Sequence, residues 1–190
     1  MIDVCRSSHQ AFLGSIARLR DDDLHAPSEL PRWSRAHVIA HVINKTRAHV
    51  WLFGGPASGE VRHLYPDDHD QDRAAEIGAA RSSAELRTDL HEAFARLEAA
   101  WDALDDSHWD CHGIMTAGPR TMTEIVSHHL RNIEVHHVDL GIGYEPSDWP
   151  PLFVDGELVK RLHGLPDRAD HGDLLAWLLD RRDAPDLGPW

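Results

Sequence analysis

The amino-acid sequence predicts an all-α fold, a four-helix bundle followed by a short C-terminal helical extension. Four long stretches repeat apolar residues at steps of three and four, which is the spacing of an amphipathic helix. Two of these stretches begin with a capping box, and no segment shows the alternation of apolar and polar residues that is typical of a strand. The chain has 190 residues, 42% of them hydrophobic, which is enough for one domain with a buried core. Four such helices can bury a common apolar seam.

The first two predicted helices are separated by a loop that contains two prolines. The first helix runs from about Val4 to Leu19, with apolar residues on one face. The second begins near Ser34, because a serine hydroxyl is a good N-cap, and it ends at the run Gly54–Pro56. A polar loop is then predicted from Ala57 to about Ala80.

The third and fourth predicted helices carry the clearest start signals. The third begins at the capping box of Ser82 and Glu85, and its apolar residues fall on one face. The fourth begins at the capping box of Thr121 and Glu124. It ends at Gly141, since glycine is the residue most often found just past a helix C-terminus.

The predicted domain organisation is one bundle with an extension. Residues 1–145 form the bundle, and residues 146–190 form a C-terminal extension packed on it, because proline becomes frequent after Tyr144. Two short helical stretches are predicted in the extension, at about 153–165 and 172–179. The last few residues are not helical.

Composition argues against several classes of partner and compartment. There are 19 Lys and Arg against 32 Asp and Glu, so the formal charge is -13 and neither nucleic acid nor a membrane surface is expected as partner. No apolar run approaches the roughly 20 residues of a membrane span, and the N-terminus lacks the layout of a signal peptide. Two cysteines, Cys5 and Cys111, suit a reducing compartment, so a cytoplasmic protein is expected.

Histidine is abundant, with 16 residues in the chain. His41 lies on the inward stripe of the second helix, where a buried imidazole needs a hydrogen-bond partner or a metal ion. On the fourth helix, steps of four place His128, Asn132 and His136 on one strip, and two residues four apart can share one ion. His41 with Asn132 and either neighbouring histidine would make a three-ligand site with open positions, although a satisfied core histidine and solvated histidines explain the same pattern. Further histidines are predicted to face solvent, namely His25, His49, His63, His69, His91, His108, His112, His163 and His171.

Two segments carry a resemblance to a known family. Residues 30–41, LPRWSRAHVIAH, resemble its pattern LPGW[ST] followed by two histidines four residues apart, and residues 134–144, EVHHVDLGIGY, are similar to its EVHHVDLGLGY segment. Tyr65-Pro66 and the terminal Pro189-Trp190 follow in the family's order. The sequence therefore resembles the mycothiol-dependent maleylpyruvate isomerases, a branch of the DinB-like four-helix bundles.

The resemblance implies a metal site and shows one departure from the family pattern. The family holds a divalent metal, usually zinc, with a histidine that maps onto His41 and with an E-x-x-x-H pair whose histidine maps onto His136. The glutamate of that pair falls on Asn132. Asn132 then coordinates through its amide oxygen, or His128 takes its place, or the metal is lost.

The resemblance also implies a reaction. The metal binds mycothiol as its thiolate, which adds to a small electrophilic substrate, and rotation and elimination then complete a cis–trans isomerisation. Addition or displacement without reversal would instead make the protein a mycothiol S-transferase, and a lost metal would leave a non-catalytic binding bundle.

An anionic substrate such as maleylpyruvate favours a cationic clamp around the metal. The first candidate is Arg181, in the segment Trp177–Arg181 that is similar to the family's WLxGR, and the second is Arg73. The expected partners are thus a small electrophile and a low-molecular-weight thiol, and the expected state is a monomer or a homodimer.

Overall fold

The computed structural model describes residues 1–65 and 70–187, and it confirms the all-α class. Pro66, His69 and the terminal Pro189-Trp190 lie outside the described residues. The elements are α1 (Ile2–Ala17), α2 (Asp21–Leu24), α3 (Arg35–Phe53), α4 (Gly55–Ser58), α5 (Gln71–Ala79), α6 (Ser83–Asp102), β1 (His112–Met115), β2 (Gly118–Thr121), α7 (Met122–Asp139), α8 (Pro151–Gly164) and α9 (His171–Leu178). Single 3-10 turns lie at Asp106–His108, Pro146–Asp148 and Leu165–Asp167. None of the helices in the described chain is both long enough and apolar enough to span a membrane.

The four long helices α1, α3, α6 and α7 form the bundle. Helix α3 packs against α5, α6 and α7, and α1 packs against α6 and α7. Large apolar side chains from each helix fill the space between them, among them Phe12, Ile39, Phe94 and Ile133, all fully or almost fully buried. Each helix therefore contributes its apolar stripe to one core, as the sequence predicts.

Three of the four long helices begin as their sequences indicate. The side chains of Ser34, Ser82 and Thr121 each accept a hydrogen bond from the backbone N–H three residues later. In α7 the Leu140 cap is followed by Gly141, whose φ of +60° places it in the left-handed conformation that favours glycine. The predicted caps are confirmed.

Replacing Ser82 by alanine is expected to lower the free energy of unfolding by about 1 kcal/mol. Ser82 Oγ accepts from Glu85 N at 3.3 Å, and alanine would leave that N–H without its acceptor. Urea unfolding of both proteins measures the difference. Ser147→Ala, at an exposed serine, is the control and should change stability by less than about 0.5 kcal/mol. Equal effects of the two substitutions would show that the cap contributes nothing.

Two short elements differ from the sequence-based expectation. Strands β1 and β2 form an antiparallel hairpin, with His112 opposite Thr121, where no strand was expected. Each has four residues, too few for an alternating pattern to stand out. Helix α5 lies inside the stretch expected to be a loop; it packs on α3 through small residues, and a Cβ on Gly78 would lie 2.5 Å from the Cβ of Ala40. Because glycine has no side chain and alanine has only a methyl group, this contact leaves no periodic pattern of large apolar residues in the sequence.

The chain forms two compact units, Met1–Trp149 and Pro150–Trp190. The second unit contains α8 and α9, close to the two stretches expected there. Within it the Asp170 side chain caps α9 by accepting from two backbone N–H groups, and the Arg168 guanidinium donates to the carbonyl oxygen of Leu187 at 2.6 Å.

Candidate metal centre

Helices α3 and α7 bring together the three side chains that the sequence pattern singled out. The ring centroids of His41 and His136 lie 4.8 Å apart, with the ring planes at 75°. The side chain of Asn132, one turn before His136 on α7, is near enough to His41 to raise the pKa of that ring slightly, against the larger effect of burial. Two imidazoles and one amide therefore meet across the interface between the two helices.

The ring of His136 is held in place by a carboxylate on its own helix. Asp139 Oδ2 lies 2.8 Å from His136 Nδ1, and both side chains are mostly buried. In the neutral form of the ring, this contact holds the proton on Nδ1, and Nε2 of His136 then presents a lone pair. Metal-binding histidines commonly have such a partner on their second nitrogen.

The environment of His41 keeps its ring uncharged. Burial, followed by the charges of His136 and Lys45, lowers the pKa of His41 from 6.5 to about 4. A neutral imidazole has the lone pair that a metal ion requires, whereas a protonated ring does not. The ring also lies beside Trp33, with centroids 5.5 Å apart, so one side of it is shielded from water.

The third member of the cluster is an amide rather than an acidic group. Nδ2 of Asn132 is buried and has no hydrogen-bond partner among the described residues. Across that same part of the chain, no three His, Cys, Asp or Glu side chains converge to hold a metal ion. Two imidazole rings and one amide oxygen are donors that a divalent cation accepts, and they leave further positions open to a substrate.

One arginine aligns the two helices that carry the cluster. Arg35, at the start of α3, donates from Nε to the carbonyl oxygen of Leu140 at 2.8 Å and from Nη2 to that of Gly141 at 3.2 Å. These carbonyls lie at the end of α7, where no intrahelical partner is available. Because His41 is near the start of α3 and His136 near the end of α7, this contact sets the two rings side by side.

Other residues of the Glu134–Tyr144 motif hold the fold. Glu134 is buried and accepts hydrogen bonds from Ser8 of α1 and from the Tyr144 hydroxyl. The Tyr144 ring stacks on His137, with centroids 3.7 Å apart. Burial, together with the bond to Glu134, raises the pKa of Tyr144, so its hydroxyl stays a donor. Glu134, His137 and Tyr144 thus hold the C-terminal part of α7 against its neighbours in the fold.

The remaining predicted site residues are placed on other elements or on another turn of α7. His128 is half-buried on α7, and its charge acts on His49 rather than on His41. Arg73 is exposed on α5, and Arg181 is exposed in the second unit. A further cation, Lys45, lies one turn further along α3, and its charge acts on His41.

The expectation that His49 faces solvent is wrong. His49 is fully buried and belongs to a second group of histidines, with His9 and His129, in the interior of the first unit. Its position on the α3 face that also carries Val42 and Thr46, both buried, was the available signal. Most of the other histidines expected at the surface are exposed there, namely His25, His63, His91, His112, His163 and His171.

Comparisons with known proteins agree with this architecture. Residues 5–141 match the model of the family described as "Mycothiol maleylpyruvate isomerase N-terminal domain". No curated protein matches the sequence.

Among solved structures the chain is similar to a mycothiol-dependent maleylpyruvate isomerase, with 22% identity and a TM-score of 0.77 over 81% of this chain and 65% of that one. It is also similar to a histidine-to-alanine mutant of a mycothiol-dependent maleylpyruvate isomerase, with 20% identity and a TM-score of 0.83 over 90% of this chain and 72% of that one. The chain thus spans just under two thirds of the first of these structures, and at such identities the likeness shows a shared fold. Because the family model covers most of the chain, this protein belongs to the mycothiol maleylpyruvate isomerase N-terminal domain family.

Proposed function

We propose that this protein is a metal-dependent, thiol-using enzyme that acts on a small electrophile in the manner of a mycothiol-dependent maleylpyruvate isomerase. The observation that carries the proposal is the meeting of His41, Asn132 and His136 across α3 and α7. Family membership supports mycothiol as the thiol and an isomerisation as the reaction.

His41, Asn132 and His136 would hold the divalent cation, with zinc the choice suggested by the family pattern. When bound, such an ion supplies Lewis acidity that lowers the pKa of a thiol from its ordinary value near 8.5. An amide where the family has a carboxylate leaves one negative charge fewer around the ion, which favours an anionic sulfur.

Residues around the ligands supply orientation and charge. Asp139 fixes the His136 ring through Nδ1, and Trp33 covers one side of His41. Lys45 is half-buried, and burial and the nearby charge of Arg131 lower its pKa. Lys45 would attract an anionic group of the substrate, while Arg181 and Arg73 stay candidates for this clamp from the family pattern and from the sequence.

Calorimetric titration of metal-free protein with zinc tests the site, with uptake of about one ion per chain as the expected result. No uptake would end the enzyme proposal and favour a non-catalytic bundle. Assays with mycothiol and maleylpyruvate then separate two reactions. A change of isomer without consumption of thiol supports the isomerase, whereas a thiol adduct that accumulates, with this or a generic electrophile, supports an S-transferase.

Replacing Asp139 by asparagine is expected to weaken zinc binding about tenfold, because the His136 ring loses its anionic partner. Competition with a chelator of known affinity measures the change. Asp110→Asn, at an exposed aspartate, is the matched control and should leave the affinity unchanged. Equal affinities in the two variants would show that Asp139 does not support a ligand.

Replacing Asn132 by glutamate is expected to strengthen zinc binding about tenfold or more, since a carboxylate is a better zinc ligand than an amide. Gln10→Glu adds the same charge at an exposed position of α1 and controls for net charge alone. An unchanged zinc affinity in the Asn132→Glu protein would show that the ion does not bind at this residue.

A further inference from the structure

A second histidine cluster forms an unbroken line of contacts through the bundle, separate from the metal ligands. Glu98 Oε1 of α6 lies 2.6 Å from His9 Nδ1 of α1. His9 Nε2 lies 2.7 Å from His129 Nε2 of α7, and His129 Nδ1 lies 3.1 Å from His49 Nδ1 of α3. One side chain from each of the four bundle helices thus takes part.

The line runs through a dry interior and reaches the surface at one end. The three rings are fully buried, and His9 stacks on Phe94 with centroids 4.0 Å apart. Glu98 is 25% exposed and lies beside Arg6, whose Nε is 3.9 Å from Glu98 Oε2. Only the carboxylate end of the line is therefore in contact with solvent.

The contacts fix where each proton lies. An ionised carboxylate can only accept, so His9 carries its proton on Nδ1 and presents a lone pair at Nε2. Two lone pairs cannot face each other, so His129 must donate from Nε2 and accept at Nδ1. His49 must then donate from Nδ1, which leaves its Nε2 as a bare acceptor.

His49, at the inner end of the line, has the unpartnered Nε2 that this arrangement of protons predicts. Nε2 of His49 is buried and has no hydrogen-bond partner among the described residues. The charges that act on His49 come from Lys45 on its own helix and from His128 on α7. Burial lowers the pKa of all three rings, that of His49 to about 3, so the line is electrically neutral apart from Glu98.

We propose that Glu98, His9, His129 and His49 form a proton relay between the interior of the bundle and its surface. A proton that arrives at His49 Nε2 releases the Nδ1 proton of His49 to His129 Nδ1. His129 passes its Nε2 proton to His9 Nε2, and His9 passes its Nδ1 proton to Glu98, which returns it to solvent. One proton enters and one leaves, and the three rings end uncharged as the opposite tautomers. The rings must then turn over, so that His9 again donates from Nδ1 to Glu98, before the next proton can pass. Glu98 is thus a positioning residue, since it sets the direction of every bond without contact with His49.

The place of the relay suggests what supplies the proton. Lys45 lies one turn from His41 and one turn from His49 on α3, and its charge acts on both rings. The inner end of the relay therefore lies two helical turns, about 12 Å, along α3 from His41 of the candidate metal centre. We assign the relay one role: it carries away the proton that a thiol loses when it binds at the metal centre. This role rests on the proposed function.

The proton order can be observed directly in the full-length protein labelled with ¹⁵N. Long-range ¹H–¹⁵N correlation spectra near neutral pH distinguish a protonated ring nitrogen from a bare one. The expected result is a proton on Nδ1 of His9 and His49 and on Nε2 of His129. A proton on Nε2 of His49, or a charged ring in the line, would overturn the relay without any variant being made.

Glu98→Ala removes the acceptor that sets the order, and a proton on Nε2 of His49 is then the expected result. Glu92→Ala, at an exposed glutamate of α6, should leave all three rings as in the wild type. An unchanged His49 in a folded Glu98→Ala protein would overturn the proposal.

The role of the relay at the metal centre is tested by a second measurement, the rate of the thiol-dependent reaction. In Glu98→Ala we expect kcat to fall about tenfold with zinc content and KM unchanged, a modest part of what proton transfer contributes to catalysis. An unchanged kcat would overturn the outlet role. Absence of any thiol-dependent activity in the wild type would refute the proposed function and leave the spectroscopic result intact, so the two failures are distinguishable.

Discussion

Zinc uptake is expected to disappear when His41 is replaced by alanine, and thiol-dependent activity should disappear with it. The substitution removes one of two imidazoles whose rings lie 4.8 Å apart, and it leaves a single histidine and an amide, which is too few ligands to hold a divalent ion tightly. We expect the metal content, measured by mass spectrometry after dialysis against zinc, to fall from about one ion per chain to near zero.

The control is a histidine that the structure places in solvent. His91 is exposed on α6, and His91→Ala should keep the full complement of zinc. Circular dichroism should show both variants to be folded, because His41 is only partly buried and its loss removes little of the core. Full zinc content in the His41→Ala protein would show that the ion binds elsewhere.

A fall in pH from about 7.5 to about 5 should lower the free energy of unfolding by about 2 kcal/mol through His49 alone. In the unfolded chain His49 titrates at its ordinary pKa of 6.5, whereas burial lowers its pKa in the folded state to about 3. Between these values the unfolded chain binds the proton and the folded chain does not. The stability is therefore fully present above pH 6.5 and is lost as the pH falls toward the folded pKa. His9 and His129, whose pKa values are also lowered by burial, act in the same direction.

Urea unfolding at the two pH values measures this loss, provided that the slope with denaturant stays constant. Most carboxylates stay ionised over this range, so histidines dominate the change. His91→Ala, at an exposed histidine, should leave the pH dependence as it is. A free energy of unfolding that is the same at both pH values would mean that the buried rings are already charged in the folded protein.

The helices of the bundle could be predicted from the sequence because local signals encode them. The capping boxes at Ser82 and Thr121 and the glycine at Gly141 each act over one helical turn, and the structure has each in its expected place. Helix α5 was missed because its contact with α3 depends on the absence of side-chain bulk at Gly78, which no periodicity records.

The two histidine clusters show the same division between local and tertiary information. His41 and His136 could be chosen from spacing and from motifs, and the structure brings their rings together. The line from His9 to His49 could not, because its members come from three helices and are separated by up to 120 residues. In a sequence, each of them is one more histidine in a chain that has 16.

The contact between Arg35 and the last carbonyls of α7 joins the start of α3 to the end of α7 directly, and not only through the polypeptide that connects them. A surface loop of that stretch, outside the helices that build the core, can therefore lengthen or receive an inserted module while the ligands keep their spacing. The exposed turn at Gly59, where a Cβ would meet no atom within 4 Å, is a ready insertion point. Evolution and protein engineers alike can thus exchange the surroundings of this centre without rebuilding it.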